Sequence, residues 1–416
     1  MCRTIRKFKC GTCAACYSSK RNALAIRLKE HYQGILRHYD ENCYAVLFGM
    51  LTFTDENLPR PDFTKDIVTE WTKPIQLYLK RLNKLYPFLK FDYYIGAEYS
   101  PKGRFHCHPI WFVTPRESVS CKYNTKRLKD RYSQFLKVLA DTKKYTLKLL
   151  HSDSKKRKET YVVNAFTKYV HDLLLANYTL GLSECKPVES SRAIVYVTKY
   201  VTKSRNEFFR RRSYISLDSQ METSKFRLID DPVYLNRKVR QYYKDIYKSY
   251  LISRGIGDYF YETPQWFRLL RNFKIDEEIY QLDENTAIKV LVPSPLKWFD
   301  SDYQFKNRGY SLPLKYRQHL YDLLAPKEIN GIPNEQRMII STAGRDKLDV
   351  AYLKHIISLC QSNNIDYVFV DTGTAVPDIR LTTPGAYDRL NAMQMKQYDD
   401  IKAFKERMLW QENSEN

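Results

Sequence analysis

Hydrophobic and polar positions change period several times along the chain, and each change marks an element. Over residues 18–38, Ala23, Ile26, Leu28 and Ile35 recur among Arg and Lys, which predicts a basic amphipathic helix. Residues 44–54, YAVLFGMLTFT, are a continuous apolar, aromatic and β-branched run closing on Asp55-Glu56-Asn57-Leu58-Pro59, the pattern of a buried strand and a turn. Helical spacing returns over 72–86 with Ile75, Leu79, Leu82 and Leu85, and Pro74 is tolerated because it falls in the first turn. Residues 91–97 and 105–113 read as two strands, and the polar spacer between them makes the pair a hairpin. The lysine-rich stretch 121–175 reads as helical, 178–184 as a further strand, and Ser190-Ser191 stands where a helix begins that runs to about residue 204. Farther on, 239–252 and 350–361 carry helical spacing and 367–370 is strand-like.

This order predicts an α+β protein in three parts. Residues 1–40 hold a cysteine cluster and the basic helix, 41–205 a strand-rich domain, and 206–416 a mainly helical C-terminal region without a catalytic motif. The boundary is placed at the basic stretch 205–212, which contains Arg210, Arg211 and Arg212.

Composition narrows the function. Of 416 residues, 69 are Lys or Arg and 47 Asp or Glu, a formal charge of +22 that calls for a polyanionic partner. Hydrophobic residues at 43% and 34 tyrosines exclude a disordered basic tail. The absence of a long uncharged apolar run or a signal pattern at Met1 argues against membrane insertion and secretion, so a cytoplasmic protein is expected. Nine cysteines, an odd number, then read as free thiols or metal ligands. Cys10, Cys13 and Cys16 are candidate zinc ligands, with Cys2, His31 or Cys43 as the fourth; free thiols are the default.

Two segments carry candidate chemistry. In Phe105-His106-Cys107-His108-Pro109, strand alternation puts His106 and His108 on one face and Cys107 on the other. Two imidazoles on one face suit a divalent metal, and Glu98, at the end of the preceding strand, is the nearest carboxylate. A pair of surface histidines on a half-exposed strand has the same pattern. In residues 192–203, Tyr196 and Tyr200 share a predicted helix face with Arg192, Lys199 and Lys203, while Ala193, Ile194, Val197 and Val201 take the core side. Neighbouring cations favour the phenolate that would attack a phosphodiester. An ordinary amphipathic helix in a tyrosine-rich protein also fits. The charge runs Lys126-Arg127-Leu128-Lys129 and Lys155-Lys156-Arg157-Lys158 are either solvated faces or DNA contacts.

Taken together and in this order, LTFTDENLP, GAEYSPKGRFHCHPIWF and YVTKYVTK resemble the HUH single-stranded DNA endonucleases, and within them the replication initiators of microviruses; the Cys-Gly-x-Cys-x-x-Cys cluster is similar to one in the gokushovirus branch. The likeness covers roughly residues 10–205. It implies an antiparallel, ferredoxin-like sheet with flanking helices, Mg²⁺ or Mn²⁺ on His106 and His108 with Glu98 as third ligand, and nucleophiles Tyr196 and Tyr200 with Lys199 between them. Cys107 stands where that family usually has a bulky hydrophobic residue, on the face away from the metal. The resemblance further implies nicking and rejoining of a single-stranded phage origin in the host bacterial cytoplasm, with Arg192, Lys203, Arg210, Arg211 and Arg212 on the DNA. A host helicase or polymerase would be a partner of the C-terminal region. A transposase or relaxase of the same superfamily, and a non-catalytic single-stranded nucleic-acid binder, are the alternatives.

Overall fold

The computed structural model describes residues 14–58, 61–62, 67–68, 71–99, 105–116, 125–149, 159–190, 194, 198, 250–299, 310–386, 388–390 and 392. By contacts, the chain divides into Leu24–Phe260 and a second unit, Tyr261–Asn416 with Met1–Ala23. Both mix helices and antiparallel strands, so the fold class is α+β. Among the described residues no helix is long and apolar enough to cross a membrane.

Leu24–Phe260 is built around a five-stranded antiparallel sheet. Its strands are β1 (Ala45–Thr52), β2 (Leu89–Tyr99), β3 (Phe105–Pro115), β6 (Ser183–Pro187) and β7 (Tyr250–Ile252), in spatial order β6-β1-β3-β2-β7. A separate hairpin pairs β4 (Lys144–Leu149) with β5 (Glu159–Asn164), and two-residue strands are left unlabelled.

The pleat divides the sheet's residues between two cores. Odd-numbered Leu47, Leu51, Ile95, Ala97, Cys107, Trp111 and Val113 pack with Ile75, Tyr78, Leu79 and Leu82 of α2 (Thr72–Leu85), Phe135 of α3 (Lys126–Ala140) and Phe166, Val170 and Leu174 of α4 (Ala165–Asn177). Side-chain caps start the last two helices, Thr125 accepting from Leu128 N–H at 3.4 Å and Asn164 from Thr167 N–H at 2.7 Å. Even-numbered Val46, Tyr94, Ile110 and Phe112 face the opposite way. They pack with Leu24, Leu28 and Ile35 of α1 (Ala14–His38), with Ile194, and with Ile256 from the turn after β7.

That turn is fastened to α1. Arg27 donates to the Ile256 carbonyl from Nε and Nη2 at 3.3 and 3.2 Å, and His31 Nδ1 accepts from Gly257 N–H at 3.4 Å. A Cβ on Gly34 would collide with the Tyr259 side chain, so the glycine is what lets the ring settle on the helix. Gly34→Ala is expected to cost about 1–3 kcal/mol of stability, measured by urea unfolding, and much less in a Tyr259→Gly background, which removes the whole side chain it would meet.

The interaction of His31 with Asp92 links stability to pH. Nε2 lies 3.5 Å from Asp92 Oδ2, with Lys90 Nζ 3.0 Å from the same carboxylate oxygen. Burial lowers the His31 pKa despite Asp92, in keeping with an Nδ1 that accepts and therefore carries no proton. Burial alone would raise the Asp92 pKa, but the bond and charge of His31 and the Lys90 ammonium hold it below its usual value. Both folded-state values are depressed, so the unfolded chain binds more protons and acid destabilises the fold. His31 should begin to withdraw stability as pH falls below about 6.5, and Asp92 below about 3.9. Urea midpoints at pH 7.5 and 5.5 check the first step: they should differ in the wild type and converge in His31→Gln.

In the second unit, α5 (Pro264–Asn272) and α6 (Leu314–Leu324) accompany a core made by α7 (Glu335–Ser362), whose Val350, Leu353, Ile356 and Ile357 pack with the hairpin β8 (Ile275–Gln281)–β9 (Ala287–Pro293) and with the pair β10 (Tyr367–Val370)–β11 (Asp378–Leu381). Asn334 caps α7 through Gln336 N–H at 3.0 Å. Among the described residues of this region helices outweigh strands, and its hairpins supply the second surface against which α7 packs. Two readings are corrected. Within 121–175, residues 144–149 and 159–164 pair as strands, and the helical reading of 239–252 fails at Tyr250–Ile252, which is β7; residues 239–249 lie outside the described set.

Candidate metal and nucleic-acid site

His106 and His108 lie on β3 at the end of the even-numbered face, both half-buried. Their ring centroids are 4.8 Å apart at 80°, and His108 stacks on Phe48 at 5.9 Å and 15°. Its Nδ1 is shielded from solvent. Cys107, between them, points into the opposite core, where burial raises its thiol pKa well above the ordinary value. The expected division of His106 and His108 from Cys107 is thus what the sheet shows.

Register reveals what surrounds the histidines. His106 pairs with Thr52 on one side and Glu98 on the other, which puts all three positions on one face. Glu98 is described as backbone only. The end of β1 is held by Tyr178, whose hydroxyl donates to the Thr52 carbonyl at 2.7 Å, and by Thr52 Oγ1 bonded to Leu182 at 3.0 Å.

His108 pairs with Gly96, which pairs in turn with Tyr250 of β7. Beyond β1, Glu184 of β6 pairs with Met50 on the same face. Neither Glu184 nor Tyr250 was a sequence-derived candidate. Alternation around Cys185 could have placed Glu184, but only the pairing of β6 with β1 gives that face a meaning. Nothing local marks the three-residue β7. Burial raises the Tyr250 pKa, partly offset by the Arg27 guanidinium.

Two imidazoles on one face suit a borderline divalent cation, with oxygen available at the Glu98 position. Among the described residues, no three His, Cys, Asp or Glu side chains converge as a metal site. Within the tyrosine segment, Ile194 and Thr198 are described; both are helical and fully buried, and Ile194 packs with Ile110 and Phe112 on the histidine face. Tyr196, Tyr200, Lys199, Arg192, Lys203, Arg210, Arg211 and Arg212 lie outside the described residues, as do Cys10 and Cys13, while Cys16 is described as backbone only. No family model, curated protein or solved structure matches the chain, and the fold is shown by its own elements as α+β.

Proposed function

We propose that the chain nicks and rejoins single-stranded DNA through a covalent tyrosine link, as a rolling-circle replication initiator of the microvirus type. One observation carries the reading: His106 and His108 stand on the sheet face against which Ile194, two residues before Tyr196 in the sequence, is packed. A strand bound over that face would bring a phosphate to the histidines. Charge supports the choice of substrate, because a +22 chain attracts a polyanion strongly.

Mg²⁺ or Mn²⁺ held by His106, His108 and Glu98 would supply Lewis-acid polarisation of the scissile phosphate. The chain's own residues do the rest. The hydroxyl oxygen of one tyrosine attacks phosphorus and gives up its proton; the P–O3′ bond breaks, and the departing oxygen takes a proton to become a 3′ hydroxyl. The product is a 5′-phosphotyrosine. Lys199 and Arg192, on the same predicted helix face, favour the phenolate form. A second tyrosine four residues on in the sequence lets the enzyme cut a regenerated site while the first adduct persists, and attack of the free 3′ hydroxyl on an adduct rejoins the ends.

The test is incubation with circular single-stranded DNA carrying the chain's own origin plus Mn²⁺ or Mg²⁺, followed by denaturing gels with and without protease. A protease-sensitive 5′ adduct supports the reading. Cleavage without an adduct makes the protein a hydrolytic nuclease, and tight binding without cleavage makes it a non-catalytic binder.

A further inference from the structure

We propose that the outer surface of α2 and α3, on the side of the sheet away from the histidines, is a second nucleic-acid surface that holds double-stranded DNA by its phosphates. The choice of DNA as the polyanion rests on the endonuclease reading; the surface itself rests on unpaired charge. α2 exposes Lys73, Lys80, Arg81 and Lys84 and contains no carboxylate. α3 exposes Lys126, Arg127, Lys129 and Lys137, with Asp130 as its one acid. Ion pairs elsewhere in the chain include Lys90–Asp92, Lys168–Asp172, Lys274–Asp276, Lys289–Glu277 and Arg337–Asp322. Among the described residues, none of these eight exposed cations forms an ion pair.

The two helices are neighbours, so their charges add. Arg131 of α3 donates from Nη1 to the Leu85 carbonyl of α2 at 3.4 Å and lies 5.2 Å from the Tyr86 ring centroid, while Phe88 packs 4.7 Å from Phe135. Arg131 is thereby used inside the fold, and the other cations face out. On α2, Lys73, Lys80 and Lys84 follow at i, i+7 and i+11; on α3, Lys126, Lys129 and Lys137 follow at i, i+3 and i+11. Each stripe is about 16 Å long at ~1.5 Å per residue, close to five base-pair steps.

A single strand is gripped by rings that stack on its bases, and this surface shows none: Tyr78 and Phe135 are buried and Tyr132 is half-buried, leaving Leu77 and Leu136 as the exposed apolar residues of the two helices. Cations without stacking platforms suit the regular phosphates of a duplex and read no sequence. An origin that is single-stranded at the cut and paired beside it would occupy both sides of the sheet.

The experiment compares the full chain with the variant Lys80→Glu/Lys84→Glu/Lys126→Glu/Lys129→Glu, measuring affinity for a duplex and for a single strand of about twenty nucleotides across roughly 50–200 mM salt. The expected result is a duplex salt slope less negative by about 3–4 and at least a ~100-fold loss of duplex affinity at low salt, with single-strand affinity and nicking of a single-stranded origin within about threefold. An unchanged duplex slope overturns the proposal, as does an equal loss for both substrates, which would mean a diffuse field rather than a surface. If circular dichroism shows that the variant is unfolded, the corresponding four Lys→Gln changes take its place with the same criteria. Selective duplex loss in a protein that never nicks leaves this surface standing and removes the endonuclease reading; nicking with no duplex effect does the reverse.

Discussion

Changing Tyr196 and Tyr200 together to Phe is expected to abolish the covalent protein–DNA adduct, with cleavage falling by at least about 10⁴-fold, because no other group in the proposed mechanism supplies the attacking oxygen. Either single change should spare one round of cutting and impair rejoining, since the remaining phenol can form an adduct but cannot alternate with a partner. Both outcomes are read on denaturing gels of labelled strand before and after protease. Persistence of the adduct in the double variant would remove the two tyrosines from the chemistry. Affinity for uncut DNA should change little, because the hydroxyls contribute neither charge nor much buried area.

Loss of both histidines is the second large effect. His106→Ala/His108→Ala is expected to lower nicking by about 10³-fold, the scale of several kcal/mol of charge stabilisation at a phosphate, while single-strand affinity stays within about twofold. His108 also stacks on Phe48, so a packing defect must be separated from a ligand defect. His108→Phe does this by keeping a ring in place without a nitrogen donor. It should be as inactive as the alanine variant yet melt near the wild type; recovery of nicking in His108→Phe would instead assign the histidine to packing.

The parts of the molecule legible in the sequence are those whose signal is local. The run 44–54 contains β1 with three residues to spare, the helix expected over 72–86 is α2, and 367–370 is β10 itself, because each declares itself by its own period. Alternation likewise placed His106 and His108 opposite Cys107. The β4–β5 hairpin was hidden because Lys144-Tyr145-Thr146-Leu147-Lys148 carries enough lysine to read as a helix face until its partner strand is known. Glu184 and Tyr250 were invisible for a different reason: their places beside the histidines come from pairings between segments more than sixty residues apart. Register across a sheet is a tertiary fact, and no window along the chain contains it.

The return of the chain to form β7 also bears on how the unit Leu24–Phe260 can be isolated. A fragment stopped near residue 205, where the basic stretch suggests a boundary, would lack Tyr250–Ile252 and leave part of the eleven-residue β2 as an open edge, with backbone donors and acceptors free to recruit another molecule. It would also lose Ile256 from the core under α1 and the Gly257 N–H that His31 accepts. Such a fragment should self-associate, whereas one carried through Phe260 keeps the edge occupied and stays monodisperse.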